Sequence, residues 1–389
     1  MQQRLVTPRF ALITIAALGY FVGFGMLLPT LPRYVSGVLD GSSTEVGLVV
    51  GSFGVSAALV RPVLGRLGDV YGRRVLLVSG AFLTGVMTLL YPVWESIPIL
   101  IGLRLITGIA ESGAFVGAAT AIQDLAPDDR RGEAASYFSL SIYVGLGVGP
   151  ILGEWLFSRS GFELVAQVSF AIAVVSAILA FAIPAKPPVV DRPVNARETR
   201  SFLHPAAVIP GITFVASLIG VVGFTTFIAI YVDDLTNGST NSAFVFLTYA
   251  AVVVVLRLFF ASAPDRLGAR RGTIFALSFI AAGLLIMAAW ASLIGVYVGA
   301  IVMAVGVAFN YPALFLFVMS GTEPHERSHS VASFGFFFDV AGALGAPLLG
   351  LIVDLSGSER PAFLAGALAS LIGLIGLRFL NDPEPANQL

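Results

Sequence analysis

Long apolar stretches separated by short polar turns dominate the hydropathy pattern of the chain. Each stretch reaches about the 20 residues that a helix needs to cross a bilayer, rather than the ~10 of an outer-membrane strand. Backbone groups in lipid must be hydrogen-bonded within their own segment, so each stretch is expected to be a helix. The pattern predicts twelve transmembrane helices, over residues 10–35, 45–64, 74–93, 96–123, 132–157, 162–184, 204–232, 242–263, 272–291, 293–320, 329–355 and 360–380.

The composition supports an all-α membrane protein. The 389 residues are 57% hydrophobic and 12% charged, whereas soluble domains are roughly 45–50% apolar and about 25% charged. A net charge of −1 gives no reason to expect a nucleic-acid partner. The absence of cysteine excludes thiolate chemistry, and no cofactor is expected.

The positive charges predict the orientation. Of the 22 Lys and Arg residues, three lie within predicted helices, namely Arg61, Arg104 and Arg257. Three others lie at helix ends or in a loop on one side, the predicted outer side, namely Arg33, Arg159 and Arg360. The remaining cations lie on the opposite side, which the positive-inside rule assigns to the cytoplasm. We therefore expect a multi-pass protein of the cell inner (plasma) membrane with both termini in the cytoplasm.

An internal repeat divides the chain. Shifting the sequence by 196 residues aligns Arg61 with Arg257, Asp69 with Asp265 and Gly72 with Gly268; a shift of 197 aligns Pro150 with Pro347. Two six-helix halves of equal orientation are therefore expected, related by a pseudo-two-fold axis along the membrane normal. The predicted divisions are an N-terminal half, 1–184, a polar cytoplasmic linker, 185–203, and a C-terminal half, 204–389.

The stretch GRLGDVYGRR, residues 65–74, is predicted to be the cytoplasmic turn between helices 2 and 3. It resembles the helix 2–3 signature of the major facilitator superfamily, although Val70 stands where that family often has a basic residue. The resemblance implies that an acid among cations latches one conformation of the transporter. The residues it assigns to this latch are Asp69, Gly65, Gly72, Arg73 and Arg74.

Charges inside the predicted helices suggest ion coupling. RLITGIAESG, residues 104–113, resembles the helix 4 motif of proton-coupled members of that family. Glu111 lies seven residues after Arg104, two turns along the same helix face, so the two side chains are expected to share a cavity. Burial disfavours the charged form of a carboxyl group, which makes Glu111, and then Asp339, the candidate proton carriers. Arg104 is expected to reset Glu111; the alternative is a structural ion pair.

The stretch GLGVGPILGE, residues 145–154, resembles the helix 5 signature of antiporters, with Glu154 in place of its last glycine. Small residues let helices approach closely, and a proline kinks a helix. One interpretation is that this kinked helix forms the surface on which the halves rock during transport. The other is ordinary helix packing. The motif residues are Gly145, Gly149, Pro150 and Gly153.

Three polar side chains within predicted helices are candidates to line a substrate cavity, namely Tyr20, Tyr143 and Asn310. HERSH, residues 325–329, fits the zinc-protease pattern H-E-x-x-H. Its repeat-related loop, DDRRG, contains no histidine, so no metal site is expected.

These features together predict a secondary transporter and not an enzyme. We expect proton-coupled efflux of a small organic or drug-like solute by alternating access, as in the twelve-helix drug/proton antiporters. The expected partners are the solute, protons and the lipid bilayer, and the protein is expected to be a monomer. Two alternatives stay open: a symporter or facilitator that imports a sugar or other organic solute, and a membrane protein that does not transport.

Overall fold

The computed structural model describes residues 5–127, 130–184, 202–260, 266–323 and 326–380, except the side chains of 62, 65, 66, 69, 70, 131, 132 and 327–329. The described residues contain helices and no β-strand. The α-helices are α1 Pro8–Arg33, α2 Ser43–Tyr71, α3 Arg73–Leu90, α4 Ile97–Asp124, α5 Arg131–Leu179, α6 Pro205–Thr236, α7 Ala243–Phe259, α8 Ala269–Ala289, α9 Leu293–Ser320, α10 Arg327–Ser356 and α11 Arg360–Gly376. A π-helical turn, Tyr34–Val38, follows α1, and short 3₁₀-helices, Ala180–Ala182 and Leu377–Phe379, follow α5 and α11.

Ten helical segments of the described chain are long and apolar enough to cross a bilayer, and α7 is a shorter apolar helix. The segment 133–182 has 50 residues, which would span about 75 Å as one straight helix, over twice the ~30 Å hydrocarbon core. Its backbone is not helical at Ser160 and Gly161, and the parts before and after this break both pack along α1. The chain therefore reverses at Gly161, between the stretches predicted as separate helices.

The charged stretch at residues 65–74 is mostly helical, which corrects its prediction as a turn. α2 continues to Tyr71, and the turn is Gly72 alone, with φ +93°. Gly268, its partner in the repeat, has φ +78° and precedes α8. Hydropathy locates the boundary of the apolar region, whereas the helix ends where a glycine adopts a backbone conformation that other residues rarely take.

The hydrophobic core has three parts. One is built only from N-terminal residues, 5–183, and a second only from C-terminal residues, 207–377. The third joins the two sets of helices, because Phe227 and Leu349 pack with residues such as Met26 and Val46. This joint lies where α1 ends and α2 begins.

Glycines bring the two sets of helices together along α2 and α10. A Cβ atom at Gly51 would lie 2.8 Å from Cδ of Pro347, and one at Gly54 would lie 2.6 Å from the carbonyl oxygen of Asp339. α5 approaches α1 in the same way, because Gly145, Gly149 and Gly153 all face its backbone. Small residues thus place helix backbones in direct contact.

The α1–α5 contact predicts a specific loss of stability. A Cβ atom at Gly149 would lie 2.5 Å from the carbonyl oxygen of Val22, so we expect Gly149→Ala to cost about 1–3 kcal/mol by overpacking. The measurement is the thermal unfolding midpoint in detergent. Gly102→Ala is the matched control, because it lies within α4 with no atom within 4 Å of its added Cβ. Equal midpoints for the two variants would contradict the close approach.

Candidate functional site

A buried ion-pair cluster lies between the two sets of helices. Arg61 on α2 donates hydrogen bonds from Nε and Nη2 to the two carboxylate oxygens of Asp339 on α10, at 2.7 and 2.9 Å. The Asp339 side chain is only 2% exposed. The Arg61 guanidinium also lies 4.8 Å from the ring centre of Phe115 on α4. Asp339, which has no cation within two turns on its own helix, therefore receives one from α2.

Glu111 on α4 shares the same arginine. Its Oε2 lies 3.5 Å from Nη2 of Arg61, the nitrogen that also binds Asp339. Oε2 is buried and accepts no hydrogen bond from any described residue. One guanidinium therefore serves two carboxyl groups, with good geometry toward Asp339 and weak geometry toward Glu111.

Arg104 lies outside this cluster, which corrects the expected Arg104–Glu111 pair. Its guanidinium donates to the backbone carbonyls of Val49 and Val50 on α2, at 3.1 and 3.4 Å. It also covers the ring of Phe53. Spacing along one helix suggested the pair, but α2 packs against α4 and offers Arg104 closer acceptors.

A second arginine is shared at one end of the bundle. Arg33, at the end of α1, donates to both carboxylate oxygens of Asp233 on α6, at 2.5 and 2.6 Å. It also forms an ion pair with Glu154 on α5. The other Glu154 oxygen accepts a hydrogen bond from Ser242, just before α7. Glu154, at the last glycine position of the antiporter signature, therefore links helices from both sets.

The same end holds a further bridge. Asp354, near the end of α10, accepts hydrogen bonds from the backbone N–H groups of Ser43 and Thr44 at the start of α2, both at 2.8 Å. We call this end of the bundle, which carries Arg33, Glu154, Asp233, Ser43 and Asp354, the closed end.

A cavity of about 230 Å³ lies away from the closed end. Its walls come from the start of α5, the end of α7 and the middle of α9, and they include Tyr143 and Arg257. Toward the closed end, α5 and α7 meet where a Cβ atom at Gly147 would lie 2.8 Å from Cβ of Ala250. The cavity thus occupies the region between the two sets of helices.

The structure separates the three predicted cavity residues. Tyr143 lines the 230 Å³ cavity. Tyr20 is buried, bonds to Thr84 Oγ1 at 3.2 Å and lines a space of only about 20 Å³. Asn310 donates to Ser217 on α6 at 2.7 Å and is not in the cavity wall. A polar residue in an apolar helix thus marks a buried contact as readily as a cavity.

The predicted latch is only partly described. The side chain of Asp69 lies outside the described residues, and Gly65 lies within α2. Arg73 pairs with Asp124 at the end of α4, with Nε 3.3 Å from Oδ2, and Arg74 covers the ring of Phe181. The stretch at residues 325–329 is also only partly described, because His325 and the side chain of His329 lie outside the described residues. Glu326 in this stretch contacts His204.

Sequence reasoning missed the two shared arginines. Arg61 carried a signal, because it is a charge within an apolar stretch, but Arg33 looked like an ordinary loop cation. Their partners lie 278 and 200 residues away in the chain. Only tertiary packing brings such residues together.

Comparison with known proteins identifies the family. The Major Facilitator Superfamily model matches residues 13–346 and, in an overlapping match, 238–389. The chain therefore belongs to the Major Facilitator Superfamily, a family of membrane transporters, and is a multi-pass membrane protein and not an enzyme.

Individual relatives agree with this assignment. An uncharacterized MFS-type transporter of Salmonella typhimurium is 27% identical, covering 90% of this chain and 91% of the relative. Multidrug resistance protein 1 of Bacillus subtilis is 26% identical, covering 60% of each chain. A mutant form of the nucleoside transporter NupG superposes with a TM-score of 0.75 at 15% identity, covering 95% of this chain and 99% of that one.

The ion-pair geometry predicts non-additive stability effects. Arg61→Gln leaves two buried carboxylates without a contacting cation, so we expect a loss of about 3–5 kcal/mol. Arg61→Gln combined with Asp339→Asn should recover part of that loss, because one of the unpaired charges is gone. Thermal unfolding in detergent measures both. Strictly additive losses from the two single substitutions would show that the pair carries no coupling energy.

Proposed function

We propose that this protein is a proton-coupled exporter of a small organic or drug-like solute that works by alternating access. The observation that carries the proposal is the sharing of Arg61 between Glu111 and Asp339. Arg61 compensates the charge of Asp339 only while the two side chains are in contact, so their separation would leave Asp339 to be neutralised by a proton. Isolated charges within the membrane are costly, about 2.5–3.5 kcal/mol at a helix centre on insertion scales.

The proposal includes the architecture expected from the repeat. Counting α5 as two spans gives six in α1–α5 and six in α6–α11, and the two separate cores support two halves. We assign the cavity end to the cytoplasm of a cell with its inner membrane, following the distribution of positive charge. The linker 185–203 and both termini would lie on that side, and the structure would correspond to an inward-facing state.

The proposed proton pathway depends on how the three charged side chains are divided between the two halves. Arg61 and Glu111 are in the same half and move together, whereas Asp339 is in the other half. When the closed end opens, Asp339 separates from Arg61, loses its cation and takes a proton from outside. When that end closes again, Arg61 returns to Asp339 and the proton leaves toward the cytoplasm. Glu111 holds Arg61 during the separation.

The latch belongs to the same cycle. By resemblance to the family signature, Asp69 would stabilise the outward-facing state from the cytoplasmic side. The contact between Arg73 and Asp124 supports a charge relay at the adjacent ends of α3 and α4. The glycine-lined contact of α5 with α1 supports the interpretation of residues 145–154 as a rigid face.

Two features support export over import. The helix 5 stretch resembles an antiporter signature, and the matched relative from Bacillus subtilis is named a multidrug resistance protein. The alternative is a symporter or facilitator that imports a sugar or other organic solute. An inward proton gradient drives an antiported solute out of the cytoplasm and a symported solute in, so direction separates the two.

Reconstitution tests the coupling. A panel of dye-like organic solutes is presented to proteoliposomes under an imposed pH gradient, and the transported solute is used for the variants. Asp339→Asn should abolish uphill transport of the solute and keep its downhill exchange. The reason is that the variant lacks the carboxyl group that binds and releases a proton as the protein changes conformation. Glu111→Gln should slow transport, since Arg61 loses its alternative partner.

Glu163→Gln, an exposed acid beyond the break in α5, is the matched control and should transport normally. Full proton-driven transport by Asp339→Asn would reject the coupling scheme. Uphill movement in the same direction as the protons would replace export by symport.

Cysteine labelling tests the orientation. The chain has no native cysteine, and Glu133 and Asp234 are both exposed. An impermeant maleimide added to intact cells should label Asp234→Cys, near the closed end, and should label Glu133→Cys only after permeabilisation. The opposite pattern would invert the assigned topology.

A further inference from the structure

Arg257 is the one charged side chain among the described residues that line the 230 Å³ cavity. It lies near the end of α7, across the cavity from α5. Its guanidinium covers the ring of Tyr143 on α5, 4.6 Å from the ring centre. The remaining wall is mixed and includes the polar Ser139 and the apolar Leu140, Phe309 and Pro312.

Arg257 has no counter-charge among the residues that the structure describes. It forms no ion pair or side-chain hydrogen bond with any described residue, and its Nε–H is buried without an acceptor. Arg61, its partner in the repeat, has the opposite environment, with two carboxylates in contact. A buried donor without an acceptor is unfavourable, so an acceptor supplied from the cavity would be favoured.

A simple anchoring role does not account for this placement. A cation in the last turn of a helix interacts favourably with the helix dipole, and any exposed position there would serve. The adjacent Phe259 is 76% exposed and lies outside the cavity wall, whereas Arg257 lines the cavity and packs on Tyr143. The charge is therefore placed between the two sets of helices.

We propose that the cavity binds an amphipathic organic anion whose carboxylate, sulfonate or phosphonate group pairs with Arg257. This inference rests on the proposed transport function and names its substrate class. A guanidinium matches the planar, multi-oxygen geometry of such anions, and its N–H edges stay free when Tyr143 covers its face. Phe309, Pro312 and Leu140 supply apolar surface for the rest of the molecule.

Binding of three dansyl dyes to protein in phosphatidylcholine nanodiscs tests the inference. Dansylglycine is an anion, dansylamide is neutral and dansylcadaverine is a cation, and all carry the same aromatic group. We expect dansylglycine to bind about tenfold or more tightly than the others, since one charge-assisted hydrogen bond contributes about 1.5–3 kcal/mol. Arg257→Gln should remove this preference, and Arg257→Lys should retain part of it.

Arg159→Gln is the matched control, because Arg159 also covers an aromatic ring, Trp155, but lies at the break in α5 outside the cavity. Its binding should equal that of the unmodified protein. Absence of dansylglycine binding, a preference for another dye, or a preference unchanged by Arg257→Gln would overturn the inference. Displacement of dansylglycine by phosphatidylglycerol in the nanodiscs would assign the site to a lipid headgroup and reject a soluble substrate.

The outcomes also separate this inference from the exporter proposal. Arg257-dependent anion binding without any pH-driven transport would support the anion site and reject the proposed proton coupling. Proton-driven transport of neutral or cationic dyes alone, unaffected by Arg257→Gln, would support the exporter proposal and reject the anion site.

Discussion

The pairing of Arg61 with carboxyl groups on two other helices is the constraint around which the bundle is organised. A guanidinium in apolar surroundings must find acceptors, and Arg61 finds them only because three helices approach one another closely. Gly54, seven residues before Arg61 on α2, lets that helix touch the backbone of Asp339. A larger residue there would move α10 away, and the 2.7 Å contact would be lost. The glycine pattern of α2 thus sets the electrostatics as well as the packing.

Positions matched by the sequence repeat share backbone conformation but differ in their charged contacts. Arg61 and Arg257 occupy corresponding positions, yet the first is compensated by acids and the second faces Tyr143 and the cavity. Gly72 and Gly268 keep the same turn conformation, with φ of +93° and +78°. Backbone geometry has therefore been retained where helix connections need it. The two matched arginines have different contacts, which is why we propose proton coupling for the first and ligand binding for the second.

The sequence predicted the helical elements more completely than the contacts between them. Apolar length and loop charge are properties of neighbouring residues, so the spans could be located, although the end of α2 was placed too early because helix and apolar region end at different residues. Arg104 and Glu111 were expected to pair because they share a helix face, the only proximity that spacing reveals. Arg61, Asp339 and Arg33 depend on contacts between distant segments. Asn310 shows the same limit, because its partner Ser217 lies on another helix.

The two shared arginines follow one rule that bears on motion. Arg61 contacts Glu111 within the N-terminal helices and Asp339 beyond them; Arg33 contacts Glu154 within those helices and Asp233 beyond them. Breaking a buried pair is costly chiefly when a charge is left without a partner. If the two sets of helices separate at the closed end, each arginine keeps its contact with the acid of its own set, so neither arginine loses all of its counter-charge.

The two acids that would lose their cation are Asp233, which is nearer to solvent, and Asp339, which is more deeply buried. Asp233 can be hydrated as the end opens, whereas the more deeply buried Asp339 is better neutralised by a proton. In the proposed exporter, the exchange of partners that lowers the free-energy cost of opening would therefore also make opening depend on protonation.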